Sequence, residues 1–165
     1  MPIKMPGVEQ VLQLPALIER VIPAEWQDLN GHVNVRHYLE LYDAASWPSL
    51  AAVGLDPSVF LEQRRGLFDL EHHLWYLDEL HVGDVGTVHW RFLARTVKRF
   101  HGVMFVVNQT RGRLASAFEY VSTGADLDAR STAPLPVEFA ARLDRLIAES
   151  AALDWPAPVC GVMSA

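Results

Sequence analysis

Hydrophobic residues recur at helical spacing from Val35 to Trp47. Val35, Tyr38, Leu39, Leu41, Tyr42 and Ala45 form one side, and Arg36, His37, Glu40 and Asp43 take the other. Asn34 stands where its side chain can cap this helix. Pro48 is expected to interrupt or restart it, with a further turn or two to Val53 before Gly54 closes it. Upstream, Leu17, Ile18, Val21 and Ile22 predict a strand over Leu17–Ala24, and Pro57–Arg65 reads as a short helix ending at Gly66. Beyond Gly66 the character changes to strand composition. Leu67–Val82, Val85–Thr96, His101–Thr110 and Arg113–Ser122 are separated by turn signals at Gly83-Asp84 and near Gly112. In the second strand Val88, Trp90, Phe92 and Ala94 alternate with His89, Arg91, Leu93 and Arg95, the pattern of one buried face. Pro136–Ala152 reads as an amphipathic helix.

Strand, long helix, then four antiparallel strands define an α+β chain in which one antiparallel sheet wraps a long central helix. The expected division is a loosely ordered arm over 1–16, one domain over 17–153, and a tail over 154–165 that packs or stays mobile. With 165 residues, 50% hydrophobic and 21% charged, one sizeable core is affordable. The net charge of −6 and the lack of a long Lys/Arg run argue against nucleic acid as a partner. No stretch has the length of a membrane span, no signal sequence is visible, and a cytoplasmic protein is expected. Cys160, the single cysteine, lacks a cationic neighbour and reads as an incidental thiol.

The informative stretch is Trp26-Gln27-Asp28-Leu29-Asn30-Gly31-His32-Val33-Asn34, placed just before the long helix. Hydrolysis of a thioester needs a carboxylate to activate water or attack the carbonyl, amide donors for the developing oxyanion, and polar groups to hold both. Free amides at a helix start are aimed outward. Polar capped turns without any chemistry are also common, so residue types alone leave both readings open.

Asp28-x-x-Gly31-x-Val33-x-x-x-x-Tyr38 resembles the first motif of the hotdog thioesterases related to hydroxybenzoyl-CoA thioesterase. The fuller run Asp28 to Asn34 is similar to the plant acyl-carrier-protein thioesterases, whose functional Asp, Asn and His fall on Asp28, Asn30 and His32. Further similarity, to the thioesterases of carnitine breakdown that act on betainyl-CoA, lies in Glu71 to Leu80, Gly83-Asp84, Lys98 to His101, Glu119 and Arg130 to Pro136. The helix start Asn34-Val35-Arg36-His37 looks more like the fatty-acyl branch. The resemblance implies a hotdog fold, hydrolysis of a small acyl-CoA without metal or organic cofactor, and a homo-oligomer, dimer or tetramer, with the active site between subunits.

On that basis Asp28 is expected as base or nucleophile, with Asn30, Gly31 and His32 holding water, acyl group and carbonyl. Asn34 is a further binding candidate, although a helix cap explains it as well. Glu71 is a second carboxylate if its strand face, shared with Asp69, His73 and Trp75, looks into the site. Trp26, Trp47, Trp75 and Tyr76 suggest cation–π binding of a trimethylammonium group, with Trp26 and Trp75 lining the pocket beside Asp28 and Glu71, or they simply fill the core or a subunit interface. Lys98 and Arg99 offer countercharge to CoA phosphates from a turn. His72 and His73 point to opposite faces, so no metal site is expected. A hydratase, a noncatalytic acyl-CoA-binding module and a fatty acyl thioesterase acting on an acyl carrier protein are the alternatives on the same fold.

Overall fold

The computed structural model describes residues 3–54, 56, 58 and 62–165. Its elements are α1 (Val8–Val11), β1 (Ala16–Val21), a 3-10 turn (Ala24–Trp26), α2 (Arg36–Ala52), β2 (Arg65–Tyr76), β3 (Val85–Arg95), β4 (Arg99–Asn108), β5 (Arg113–Asp126), β6 (Ser131–Thr132) and α3 (Val137–Ala151). The predicted helix Pro57–Arg65 falls on a stretch in which residues 57 and 59–61 lie outside those described.

The strands form one antiparallel sheet in the order β1-β3-β4-β5-β2, with β6 added to β5. Its inner face closes on α2. Leu41, Tyr42 and Ala45 of the helix pack against Val88, Trp90, Phe92, Met104, Val106 and Phe118 of the strands, all buried. Burying one such side chain contributes roughly 1.5–3 kcal/mol, so this face supplies much of the cohesion. Tyr42 sends its hydroxyl across to Ser116 Oγ at 2.7 Å, so the buried polar pair satisfies itself.

Pro48 does not interrupt α2. Proline removes the amide that would meet the carbonyl one turn back. Two hydroxyls bond to backbone in the same turns, Ser46 Oγ to Tyr42 O at 3.0 Å and Ser49 Oγ to Ser46 O at 2.7 Å. The helix begins at Arg36 rather than Val35, and the Asn34 carboxamide still accepts the Arg36 amide at 3.2 Å.

The outer face of the sheet is covered as well, which the alternation in β3 did not predict. Val11 of α1 and Trp155 pack on Val103, Phe105, Val107 and Ala117. The arm is therefore folded against the sheet through α1, not loose, and the tail packs. Arg91, whose neighbours suggested a solvent face, is buried. Its guanidinium donates to Ser150 Oγ, Ser150 O and Trp155 O at 2.8–2.9 Å and lies over the Trp155 ring. Glu119, fully buried, accepts the Cys160 amide at 2.7 Å and faces His101 at 2.8 Å, tying the tail down. β1 pairs with β3 only as far as His89, and α3 packs along the remainder of β3. That edge is closed.

β2 ends at Tyr76, short of the predicted Val82, and a bulge between Asp69 and Glu71 changes its faces. Asp69 reaches the Ser122 hydroxyl and His72 (3.2 Å), and His72 lies on the inner ring of Phe118. Leu74 packs into the inner core, whereas Trp75 packs into the outer one. Alternation then sets Glu71, His73 and Trp75 outside. The expected shared face of Asp69 and Glu71 is corrected: one extra residue separates them.

Candidate active site

The loop before α2 is built around Asp28. Its Oδ1 accepts the Asn30 amide at 2.8 Å, and its carbonyl accepts the Gly31 amide at 3.1 Å. Gly31 has φ +85°, a left-handed conformation that favours glycine, and this turns the chain so that His32 returns toward the acid. A bridge between Gln27 and Val33, and the Val33 amide on Leu80 O at 2.8 Å, fix the loop to the segment after β2.

His32 stands between two carboxylates. Its Nε2 is 3.5 Å from Asp28 Oδ2, and its Nδ1 is 3.1 Å from Glu79 Oε1. The Asp28 side chain is 19% exposed, open enough to meet a ligand. His32 lines a cavity of about 270 Å³ together with Val35, Tyr38, Tyr76, Asp78 and Glu79. Tyr38 fixes its wall, donating to Asp78 O at 3.3 Å and accepting the Leu80 amide at 3.2 Å. Burial pushes the Tyr38 phenol above its ordinary value, so it stays a neutral pin.

The expected free amides at the helix start are engaged. Those of Arg36, His37 and Tyr38 donate to Asn34 Oδ1, Asn34 O and Val35 O at 3.2, 3.0 and 3.3 Å. Asn34 is thus a capping residue.

Asp28, Asn30, Gly31 and His32 are brought together, with Tyr76 across the cavity. The remaining candidates are not. Trp26 is buried, stacked on His37 at 4.6 Å with Arg20 over its ring. Trp75 lies on the outer face, so within one chain the two tryptophans form no cage. Glu71 is on that outer face too. Lys98 and Arg99 sit at the β3–β4 turn, where Arg99 is in register with Thr123 and Phe68. Tyr76 is in register with Ser116 at the other end of the sheet. Lys98 and Arg99 are therefore remote from Asp28 of the same chain.

That remote end holds a second cavity, of about 350 Å³, between the C-terminal half of α2 and the inner face. Asp43, Trp47 and Asp69 stand on it, above Phe100, Phe118 and Tyr120. The sequence reading counted Trp47 only among the aromatic residues that could meet a cation, and did not single out Asp43 as a site residue. Their four-residue spacing on the helix was the available signal. It also missed Glu79 as the second carboxylate on His32, for which a loop sequence offers no periodic signal.

A curled antiparallel sheet around one long helix, with a polar loop at the helix start, defines a hotdog protein of the thioesterase class. The family model of the thioesterase-like superfamily matches residues 22–143, and the chain belongs to that superfamily. The betainyl-CoA thioesterase of Pseudomonas aeruginosa is 29% identical over 87% of this chain and 91% of its own length. The L-carnitine dehydrogenase/betainyl-CoA thioesterase of Rhizobium meliloti is 26% identical over 85% of this chain, which spans only 28% of that longer protein. Among solved structures, a Staphylococcus aureus protein in complex with CoA superposes with a TM-score of 0.80 at 23% identity, over 92% of this chain and 96% of that one.

Proposed function

We propose that this protein hydrolyses a small acyl-CoA, releasing the free acid and CoA, with betainyl-CoA as the leading substrate. The observation that carries the reading is the Asp28–His32–Glu79 relay before α2, whose His32 and Glu79 line a cavity. A carboxylate beside an imidazole can hold a water against the thioester carbonyl and take its proton, while the imidazole is oriented by a second carboxylate. The carbonyl carbon gains the water oxygen, the C–S bond breaks, and the CoA thiolate is protonated as it leaves. Asn30 and Gly31 shape the loop that presents the acid. The relatives named for betainyl-CoA thioesterase activity support the substrate.

The working unit is a homo-oligomer built on β2. This strand ends the sheet, paired on one side to β5, and carries exposed apolar side chains, Phe68 at 65% among them. An open apolar edge is a template for another strand, and a second copy pairing antiparallel about a twofold axis satisfies it symmetrically. Such a dimer brings the Lys98–Arg99 turn of one copy toward the Asp28 loop of the other, where CoA phosphates need countercharge. An acyl-CoA substrate accords with a cytoplasmic site of action.

The test is thiol release from betainyl-CoA, butyryl-CoA, a medium-chain acyl-CoA and an enoyl-CoA, in wild type and Asp28→Asn. Cleavage by wild type and its loss in the variant are expected. Binding of several esters with cleavage of none would instead make this a binding module. Loss of enoyl absorbance without thiol release would make it a hydratase.

A further inference from the structure

We propose that the cavity between the C-terminal half of α2 and the inner face of β2, β4 and β5 is the acyl-specificity pocket, and that it receives a quaternary-ammonium head group. The proposal deepens the thioesterase reading by naming what selects the acyl group, and it relies on that reading for the carbonyl chemistry.

The wall chemistry decides the class of ligand. Phe100, Phe118 and Tyr120 form a buried aromatic floor. Asp43 and Trp47 stand one turn apart on the helix rim, with Asp69 opposite on β2. None of the described residues that line the cavity is Lys, Arg or His. A hydrogen bond from His72 holds the Asp69 carboxyl below the usual carboxylate range, against the opposing effect of burial, and the Ser122 hydroxyl adds to it. A fatty acyl chain here would lie beneath two rim carboxylates that it can neither neutralise nor hydrogen-bond. A methylated ammonium has no N–H to satisfy, presents a diffuse positive surface to aromatic faces, and is neutralised by the rim acids. The volume also suits a small ligand, lying at the low end of the roughly 300–1,000 Å³ typical of such sites.

Geometry then assigns the pocket to the acid of a second copy. At roughly 1.5 Å per residue, Asp43 lies about 10 Å along α2 from its start. In a betainyl thioester the nitrogen is one methylene from the carbonyl, so Asp28 of the same chain is out of reach. Antiparallel pairing of two β2 edges sets the Gly66–Asp69 end of one strand beside the Trp75–Tyr76 end of the other. The aromatic pocket of one protomer then meets the His32–Asp28 relay of its partner.

The experiment is calorimetric titration of the intact oligomer with glycine betaine and with 3,3-dimethylbutyrate, which share a shape and a carboxylate and differ in the cationic nitrogen. Wild type is expected to bind betaine at least about tenfold more tightly. Asp69→Asn and Trp47→Leu should each reduce that preference severalfold; Trp47 is half exposed, so its variant tests the pocket should Asp69→Asn fold poorly. Equal binding of the two ligands, binding of neither, or a preference unchanged in the folded variants overturns the pocket, even if several thioesters are hydrolysed. A betaine preference that falls in the variants upholds it, even if no thioester is cleaved and the hydrolytic reading fails.

Discussion

The two ends of the sheet present cavities of different chemistry. At one end, Asp28, His32 and Glu79 form a polar relay, and His32 and Glu79 line a small cavity with Tyr38 and Tyr76. At the other, Asp43, Asp69 and Trp47 rim a larger aromatic cavity, and Lys98 and Arg99 stand nearby in the strand register. The relay has groups suited to moving a proton but no aromatic cradle. The cradle has no histidine at its wall among the described residues. About seven residues of β2, roughly 23 Å of extended strand, separate Asp69 from Tyr76. The contrast teaches why the proposed site draws on both ends, with the symmetry of a dimer as the economical way to join them.

The largest effect should come from the relay. Asp28→Asn is expected to lower kcat on every thioester by about 10²–10⁴-fold, as loss of a general base does, with the melting temperature little changed. Undiminished turnover would move the chemistry elsewhere.

Mixing sharpens the comparison. Trp47→Arg places a like charge on the cradle and should abolish betainyl-CoA turnover alone, as Asp28→Asn does. Co-expressed, the two variants should regain about a quarter of wild-type activity, because half the dimers are hybrid and each hybrid holds one intact composite site. No recovery would mean that acid and cradle act within one chain.

Phe68→Lys on the open edge should shift the particle from dimer to monomer in sedimentation and lower activity with it. A monomeric variant of full activity would break the two-chain account.

Stability at low pH depends on the relay end through Asp84. Burial raises its carboxyl, but the His81 amide, the Asn108 carboxamide and Arg111 outweigh this and hold it below the ordinary value. A depressed folded value means this stabilisation is complete above the ordinary carboxylate range and is lost as pH falls through the folded value. Asp84→Asn should cost about 1–3 kcal/mol at neutral pH and flatten the acid limb of a melting-temperature profile.

The smallest catalytic effect is expected from Trp75→Leu. Packed on the outer face, Trp75 should give up about 0.5–3 kcal/mol of stability on substitution and change KM for betainyl-CoA and butyryl-CoA alike. A selective rise for betainyl-CoA would put Trp75 back in the cage and displace Trp47.

Local pattern was enough for several of these features. The 3.6-residue spacing after Asn34 located α2, the alternation through Val88, Trp90 and Phe92 gave the inward face of β3, and the Asp28 loop was visible because a helix start must be capped and its turn needs glycine. Such signals are written in neighbours a few residues apart. What lay between distant residues was not legible. One bulge after Asp69 parted it from the face of Glu71, His73 and Trp75, because a strand of period two changes sides with a single extra residue. The buried Arg91, the tail held on Glu119 and the meeting of Asp69 with Trp47 depend on packing between elements far apart in the chain, which no local period encodes.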